Sequence, residues 1–332
     1  MKIENSIGWC DDTGNKVIGC DKVSPGCKNC YAECGTIARV MRGMGRETWG
    51  PKGVRVPVAD FSAKLRRLNK LCICDKCHQT QPFARVGKPC GLIPRQRTGT
   101  GLSALIQNTL ADNECTGTLR RIRFFADSNS DWLDRKWKLD TFTELLNEIH
   151  LAPNVDVILL TKRPERWEGR TREAYNHLTN WPHEPAFARW LYEWRFEGRA
   201  HSNLWLGVSV ENQEMANLRI PLLGTIPAAI RFLSMEPLLE NVSLIPGLAR
   251  SGPPVNWIIV GGESGKKRRD CGVAAIESVV SQAKAALIPT YVKQDCAFKS
   301  GEQGRIPDAL WSLKQFPNPR REQILDAVFK PL

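Results

Sequence analysis

The sequence predicts an α/β fold built around a parallel sheet, and three observations lead there. Short, wholly apolar runs that end in polar residues recur along the chain, at Ile122–Ala126, Val155–Leu160, Leu204–Val210, Ile230–Leu233, Trp257–Val260 and Thr290–Val292. Such runs read as strands buried on both faces. Amphipathic stretches alternate with them, and strand–helix alternation implies parallel pairing through right-handed crossovers that curl toward a full or partial barrel. Finally, 332 residues suffice for one barrel with insertions or for two domains. A doubly wound open sheet fits this periodicity equally well.

Taken in order, a first strand is expected near Lys16–Gly19, making about seven in all. Leu139, Phe142, Leu145, Leu146 and Ile149 share one helical face, with Asp140 or Thr141 as its cap. Val273, Ile276, Val279, Val280, Ala283 and Leu287 form a second such face, closed by Pro289. The barrel is assigned to residues 1–46 and 119–315. Residues 47–118, rich in Gly, Pro, Arg and Cys, read as an insertion, and 316–332 as a tail. Residues 165–203 carry Trp167, Trp181, Trp190 and Trp194 among charges, and read as a helical insertion packing its aromatics or as a base-stacking surface.

No run of eighteen apolar residues occurs, and the start, Met1-Lys-Ile-Glu-Asn-Ser, carries no basic–apolar–small signal. A cytoplasmic protein without membrane contact is therefore expected. In that compartment thiols stay reduced, so twelve cysteines argue for metal sites more than for disulfides. The net charge of +12 favours a polyanionic partner, with basic clusters at Lys64–Lys70, at Arg120, Arg121 and Arg123, and at Lys266–Arg269.

Cys20, Cys27 and Cys30 are the most informative residues. The loop between the first two turns at Pro25-Gly26, and a helical pattern follows the third. Three soft thiolates suit an iron–sulfur cluster or zinc. Three ligands leave one metal position open for something outside the protein, whereas structural zinc wants four, here from Cys10, Cys34 or a distant residue. A second constellation is Cys72, Cys74, Cys77 and Cys90. The Cys74-x2-Cys77 knuckle with Cys90 and either Cys72 or His78 would complete a tetrahedral site, for zinc or an auxiliary cluster. Its stretch has too few apolar residues to fold alone. Cys115, Cys271 and Cys296 lack spacing partners and read as packed or free.

In a parallel barrel the working residues lie at the C-terminal ends of strands. Those ends present Asp127, Ser128, Asn129, Ser130 and Asp131; Thr161, Lys162 and Arg163; Ser209, Glu211 and Asn212; Ser234 and Glu236; Gly261, Gly262 and Glu263; Lys293 and Gln294. Six strands ending in polar residues on one side point to a site. Lys162 and Arg163 suit a carboxylate or phosphate, and Gly261-Gly262 suits close backbone approach to a ligand.

The C-x6-C-x2-C spacing followed by Tyr31-Ala32-Glu33 resembles a phage-encoded family related to radical SAM enzymes. The likeness continues through Phe125–Asp131, Leu160–Pro164, Trp205–Asn212, Phe232–Pro237 and Val260–Gly265, sparing residues 70–115 and 170–200. It implies a partial (β/α) barrel of the radical SAM type with a Cys-rich insertion. It also implies a [4Fe–4S] cluster on Cys20, Cys27 and Cys30 whose fourth iron is chelated by S-adenosylmethionine. Asp127, Ser128 or Ser130 would meet the SAM amine, Glu211 its ribose hydroxyls, and Gly261, Gly262 and Glu263 would belong to the cofactor site. Lys162, Arg163 and Glu236 would face substrate. A flavodoxin or ferredoxin would donate the electron, in a host cytoplasm. Relatives are associated with hypermodified thymine in viral DNA, which makes isomerisation of an N-linked to a C-linked glycinyl-thymidine the expected reaction. A repair lyase of the photoproduct-lyase kind, and a zinc-containing nucleic-acid-binding protein without catalysis, are the alternatives.

Overall fold

The computed structural model describes residues 7–91, 115–179, 185–250, 252 and 254–318. Among them, twelve strands lie at β1 (Asp12–Gly14), β2 (Val17–Ile18), β3 (Val56–Pro57), β4 (Leu71–Cys74), β5 (Thr80–Pro82), β6 (Leu119–Arg120), β7 (Ile122–Ala126), β8 (Val155–Thr161), β9 (Leu204–Ser209), β10 (Ile230–Met235), β11 (Trp257–Gly261) and β12 (Thr290–Gln294). Seven of them pair in the order β1-β7-β8-β9-β10-β11-β12, every pairing parallel. Each new strand adds to the same edge, so the order never reverses. A doubly wound sheet requires such a reversal, and this one instead curls into a half-barrel.

The first strand of that sheet is Asp12–Gly14, earlier than the Lys16–Gly19 position expected from the apolar run. Val17–Ile18 instead pairs antiparallel with β3 in a separate two-stranded sheet. The remaining predicted strands are present, with ends shifted by a residue or two.

Helices α1 (Tyr31–Cys34), α2 (Thr36–Gly43), α3 (Phe61–Leu68), α4 (Leu139–His150), α5 (Trp167–Thr179), α6 (Pro185–Arg195), α7 (Gln213–Gly224), α8 (Ile245–Arg250), α9 (Val273–Ala285) and α10 (Asp308–Trp311) accompany the strands. The predicted faces of α4 and α9 are those that bury, through Phe142, Leu145, Leu146 and Ile149, and through Ile276, Val279, Val280 and Ala283. Two details differ. Lys138 holds the N-cap position of α4 without a side-chain bond, so neither Asp140 nor Thr141 caps it. Leu287 lies past the end of α9, exposed and at φ 56°, because the chain has already turned toward Pro289.

Alternation along the strands splits the core in two. Phe124, Val157, Leu159, Leu204, Leu206, Leu233, Ile258 and Val260 face the helices. Phe125, Ile158, Trp205, Phe232, Trp257, Ile259 and Tyr291 face the concave side, where Trp9 joins them. The Trp9 and Phe125 rings lie 4.7 Å apart and those of Phe232 and Trp257 5.7 Å apart. These aromatics fill the lower half of the curl, so open space remains only toward the C-terminal strand ends.

Helices α5 and α6 settle the Trp-rich insertion as packing: Trp167 and Trp194 are buried, 5.5 Å apart, and Trp194 stacks on Trp132. Trp181 lies outside the described residues, as do residues 92–114 of the Cys-rich insertion and most of the 316–332 tail. Within the insertion, β5-β4-β6 form a small antiparallel sheet.

Gly207 sits directly across from Phe232 in the β9–β10 pairing, and a Cβ on it would meet the Phe232 ring at 2.3 Å. Gly207→Ala should therefore lower stability by about 1–3 kcal/mol through overpacking, seen as a reduced urea midpoint; an unchanged midpoint would show that the aromatic layer is loosely packed.

Candidate functional site

The curl is open at the strand C-termini, and a cavity of about 300 Å³ occupies that opening. Trp9, Phe125 and Leu160 form its floor, Asp127, Ser128, Asn129, Ser130, Lys162, Ser209, Ser234 and Glu236 its walls, and Cys20, Cys27 and Cys30 one side of its mouth. The cavity is at the lower end of the size range for ligand pockets.

The three-cysteine loop is fixed from several directions. Its middle is a single 3-10 turn, Pro25–Cys27, and Cys30 occupies the N-cap position of α1. Gly26 N donates to Glu211 Oε1 at 3.2 Å, and a Cβ on Gly26 would press on that carboxylate at 3.0 Å. Asn29 Nδ2 donates to Glu263 Oε2 (2.9 Å) and to the Lys267 carbonyl (2.7 Å). Arg269 closes the contact, pairing with Glu263 at 2.6 Å and donating to the Pro25 carbonyl at 2.9 Å.

Several residues expected to touch ligand therefore hold the loop instead. Glu211, expected at the ribose, is buried off the cavity with its second oxygen on Arg219 at 2.9 Å. Glu263 does line the cavity, but both oxygens are engaged by Arg269 and Asn29, which outweigh its burial and keep its carboxyl below the ordinary range. Gly261 and Gly262 make their close approach to the neighbouring chain after β12. A Cβ on Gly262 would sit 2.3 Å from Cys296 Sγ, and one on Gly261 3.1 Å from the Gln294 carbonyl.

Arg163 is the clearest reassignment. Expected to bind an anion, it is 2% exposed and already occupied. Its guanidinium donates to Asp131 Oδ2 (2.7 Å), to the Asp21 carbonyl (2.9 Å) and toward Cys20 Sγ (3.6 Å). Its neighbour Lys162 remains available: its Nζ reaches only the Ser209 hydroxyl, at 2.9 Å, among the described residues, inside the cavity. Glu236 meets Lys293 across the cavity wall.

Asp127, just past β7, has a left-handed backbone (φ 62°), uncommon for a non-glycine residue though less so for Asp. Its Oδ1 accepts Lys16 N, Val17 N and Ser130 Oγ at 2.8–3.1 Å, while Oδ2 is buried without a partner among the described residues. Burial raises its carboxyl to about 7 against those hydrogen bonds. Ser128 Oγ contacts Thr13 and Asn15 nearby.

Burial also pushes the Cys20 thiol up to about 12 and raises that of Cys30. Ionising these thiols requires a cation, which a bound metal supplies. Their three sulfurs do not form a close group. A tetrahedral zinc, with Zn–S of about 2.3 Å, needs sulfurs about 3.8 Å apart, whereas a cluster places a separate iron under each thiolate and suits wider spacing.

The second constellation is tight, and its membership differs from expectation. Cys74, Cys77, Cys90 and Cys115 bring their sulfurs within 4.8 Å of one another, with Cys74–Cys115 at 3.6 Å and Cys77–Cys90 at 3.7 Å. This group could bind a metal. Cys115 becomes the fourth member because β6 pairs with β4 (Cys74 opposite Leu119) and returns the preceding residues beside the knuckle. Cys72 lies two residues, roughly 6.6 Å, back along the strand, its thiol on the Gln81 and Pro82 carbonyls. His78 turns away in a left-handed conformation. Lys76 N and Cys77 N donate to Cys74 Sγ, and a Cβ on Gly117 would strike that sulfur at 2.4 Å. Cys271 and Cys296, expected to be unrelated, have sulfurs 3.5 Å apart. The adjacent Asp270 and Asp295 are bridged by Arg305 at 2.6–2.9 Å.

Residues 4–323 match the family described as a protein of unknown function, DUF5131. The chain belongs to that family. No curated protein and no solved structure matches it. No helix among the described residues is long and apolar enough to cross a membrane.

Two measurements check this site. Arg163→Gln strands the Asp131 charge in the interior and should destabilise the fold by about 3–5 kcal/mol, whereas Lys162→Gln should change stability by less than about 0.5 kcal/mol; equal effects in urea titrations would contradict the assignment. Because Asp127 holds its proton more tightly folded than at its ordinary 3.8, stability should fall as pH rises from about 4 through about 7. That contribution has a slope of up to about 1.4 kcal/mol per pH unit. Asp127→Asn should flatten it, and a variant whose pH profile overlays the parent would show Asp127 ionised throughout.

Proposed function

We propose that this chain is a radical SAM enzyme acting on a modified thymine base. The observation that carries the reading is the placement of Cys20, Cys27 and Cys30 at the mouth of the same cavity into which the strand ends turn their polar side chains. When bound there, a [4Fe–4S] cluster would supply the electron that splits S-adenosylmethionine, giving methionine and a deoxyadenosyl radical that takes a hydrogen atom from substrate.

The chain's own residues do the rest. Trp9, Phe125 and Leu160 offer an apolar floor that excludes water below the reacting atoms. Lys162, held by Ser209, is a cation poised for a carboxylate, whether of methionine or of a glycine on the base. Asp127 lines the cavity just past β7, and Ser128 and Ser130 flank it, a set suited to an ammonium group. Glu236, tied to Lys293, presents a carboxylate from the opposite wall. Tyr31 and the Arg163–Asp131 pair keep the cysteine loop seated over the opening.

For the substrate, isomerisation of N-linked glycinyl-thymidine is the favoured reaction. The glycine α-carbon, between amine and carboxylate, gives up hydrogen readily. The bond from nitrogen to the thymine methylene would break, one from that methylene to the α-carbon would form, and the hydrogen would return, with no net redox change. A wide-set trio of cysteines beside a close-set quartet further favours two metals, a cluster at the first and zinc at the second.

The test is 5′-deoxyadenosine formation by anaerobically reconstituted, dithionite-reduced protein, with metal analysis alongside. Expected are SAM cleavage and iron that both disappear in Cys27→Ala while zinc stays, and zinc that disappears in Cys115→Ser. Zinc alone, with no iron or sulfide in the parent, would make the chain a zinc protein without this chemistry.

A further inference from the structure

Most of the basic clusters conspicuous in the sequence are spent inside the fold. Lys64 pairs with Asp12 at 2.7 Å, Arg120 and Arg123 with Asp11, Arg121 with Asp156, and Arg269 with Glu263; Arg268 donates to two carbonyls. Other cations remain unpaired among the described residues, Arg66 and Arg67 on α3 among them, and five of these concern the cysteine loop. Lys28, Arg46, Lys266 and Lys267 are exposed, and their side chains have no ion pair or hydrogen bond among the described residues. Arg39 touches only the Thr36 hydroxyl of its own helix.

All five lie on segments that adjoin the cysteine loop. Lys28 lies in the cysteine loop, next to the Asn29 that donates to the Lys267 carbonyl, and Arg39 and Arg46 lie on and just beyond α2. Tyr31 follows Cys30 at the start of α1. It lines the cavity, yet 59% of its surface is exposed, and its hydroxyl donates to the Ser128 carbonyl at 2.8 Å, which fixes the ring. The adjoining α2 buries only Ala38 and exposes Ile37, Val40 and Met44. A held, exposed aromatic on a loop flanked by segments with unpaired cations suits an unpaired nucleic-acid strand: a face on which a base stacks, and charges that track its phosphates.

We propose that a single strand of DNA docks across this mouth, one base stacked on Tyr31 and its phosphates on Lys28, Lys266, Lys267, Arg39 and Arg46. Resting on the reading that the substrate base is carried on DNA, this names how that base arrives: unpaired, with the next base parked on Tyr31 while the target enters the cavity. A duplex would hold its bases stacked and out of reach of so recessed a floor.

The test is fluorescence anisotropy of a labelled twelve-residue oligodeoxythymidine with the full chain, requiring no SAM turnover. Failure here is thus distinct from failure of the radical chemistry. The double variants K266E/K267E and R39E/R46E should each weaken binding at least tenfold and lower the salt slope by about 1.4, at about 0.7 per lost phosphate contact. Tyr31→Leu should weaken binding about tenfold with the slope unchanged, while Tyr31→Phe keeps most of the affinity. R66E/R67E, on α3 near the other end of the sheet where Asn69 caps the approach to β8, should leave binding intact. The proposal is overturned if the parent does not bind, if the α3 variant weakens binding as much, or if Tyr31→Leu binds normally. It also fails if the duplex, or a polyglutamate of equal charge, binds as tightly as the single strand.

Discussion

The buried pair of Asp131 and Arg163 ties together everything that surrounds the cavity. Asp131 follows β7, and its carboxylate accepts Leu133 N, Thr161 Oγ1, Lys162 N and the Arg163 guanidinium, so one side chain locks the end of β7 to the end of β8. Arg163 carries that lock onward to the Asp21 carbonyl and Cys20 Sγ. Two charges this deep survive only because each is matched and hydrogen-bonded; alone, either would face a desolvation penalty of several kcal/mol. Burial opposes the charge of Arg163, yet the Asp131 carboxylate more than compensates and holds its proton above even the ordinary arginine range. The cysteine loop thus has no position independent of the sheet. A second clamp works from the far side of the curl, where Glu211, Glu263 and Arg269 grip Gly26, Asn29 and Pro25.

That arrangement explains a division of labour among the polar strand ends. The strands deliver a ring of polar residues to one end because the sheet is parallel and sequentially ordered. Only part of the ring is left to a ligand, although Arg163 and Glu263 also line the cavity. Glu211, Glu263 and Arg163 point their charges at the loop, and Lys162, Ser209, Glu236 and Lys293 are left to a ligand. Among the charges, Arg163, Glu211 and Glu263 are buried and spent on fixed partners, while Lys162, Glu236 and Lys293 are half-buried, the last two meeting each other across the wall.

The parallel sheet, the two helical faces and the three-cysteine mouth were legible in the sequence because each rests on local pattern. Strand runs such as Val155–Leu160 and faces such as Phe142–Leu145–Ile149 encode their own burial. Barrel against doubly wound sheet was not legible, since period alone carries no strand order. The roles of Arg163 and Glu211 were hidden for a related reason: position at a strand end says where a side chain starts, not which neighbour it meets. Cys115 was hidden by distance along the chain. It becomes the fourth member of the Cys74 group only through the β4–β6 pairing, and nothing near Cys115 announces that pairing. Gly117 carried a weak signal, a glycine two residues after a cysteine, where a backbone must pass close to a sulfur.

The contrast between the two cysteine groups bears on what each is for. In the Cys74 group, sulfurs 3.6–3.7 Å apart already stand at the spacing one tetrahedral ion imposes, and Lys76 N and Cys77 N donate to Cys74 Sγ. The group lies beside a small three-stranded sheet whose core, among the described residues, is Leu119 and three buried cysteines with Phe83 and Val86 partly buried against them, a setting in which a bound metal would add what few apolar residues cannot. The mouth group has the opposite character. Its sulfurs do not form a close group, one side opens on the cavity, and the positive charge beside Cys20, on Arg163, is already matched by Asp131. Burial at Cys20 and Cys30 outweighs the nearby cations and hydrogen bonds, and both thiols are pushed up. On the proposed reading, a cluster with one iron left free for a ligand would bring the positive charge these thiols need and a coordination position facing the aromatic floor.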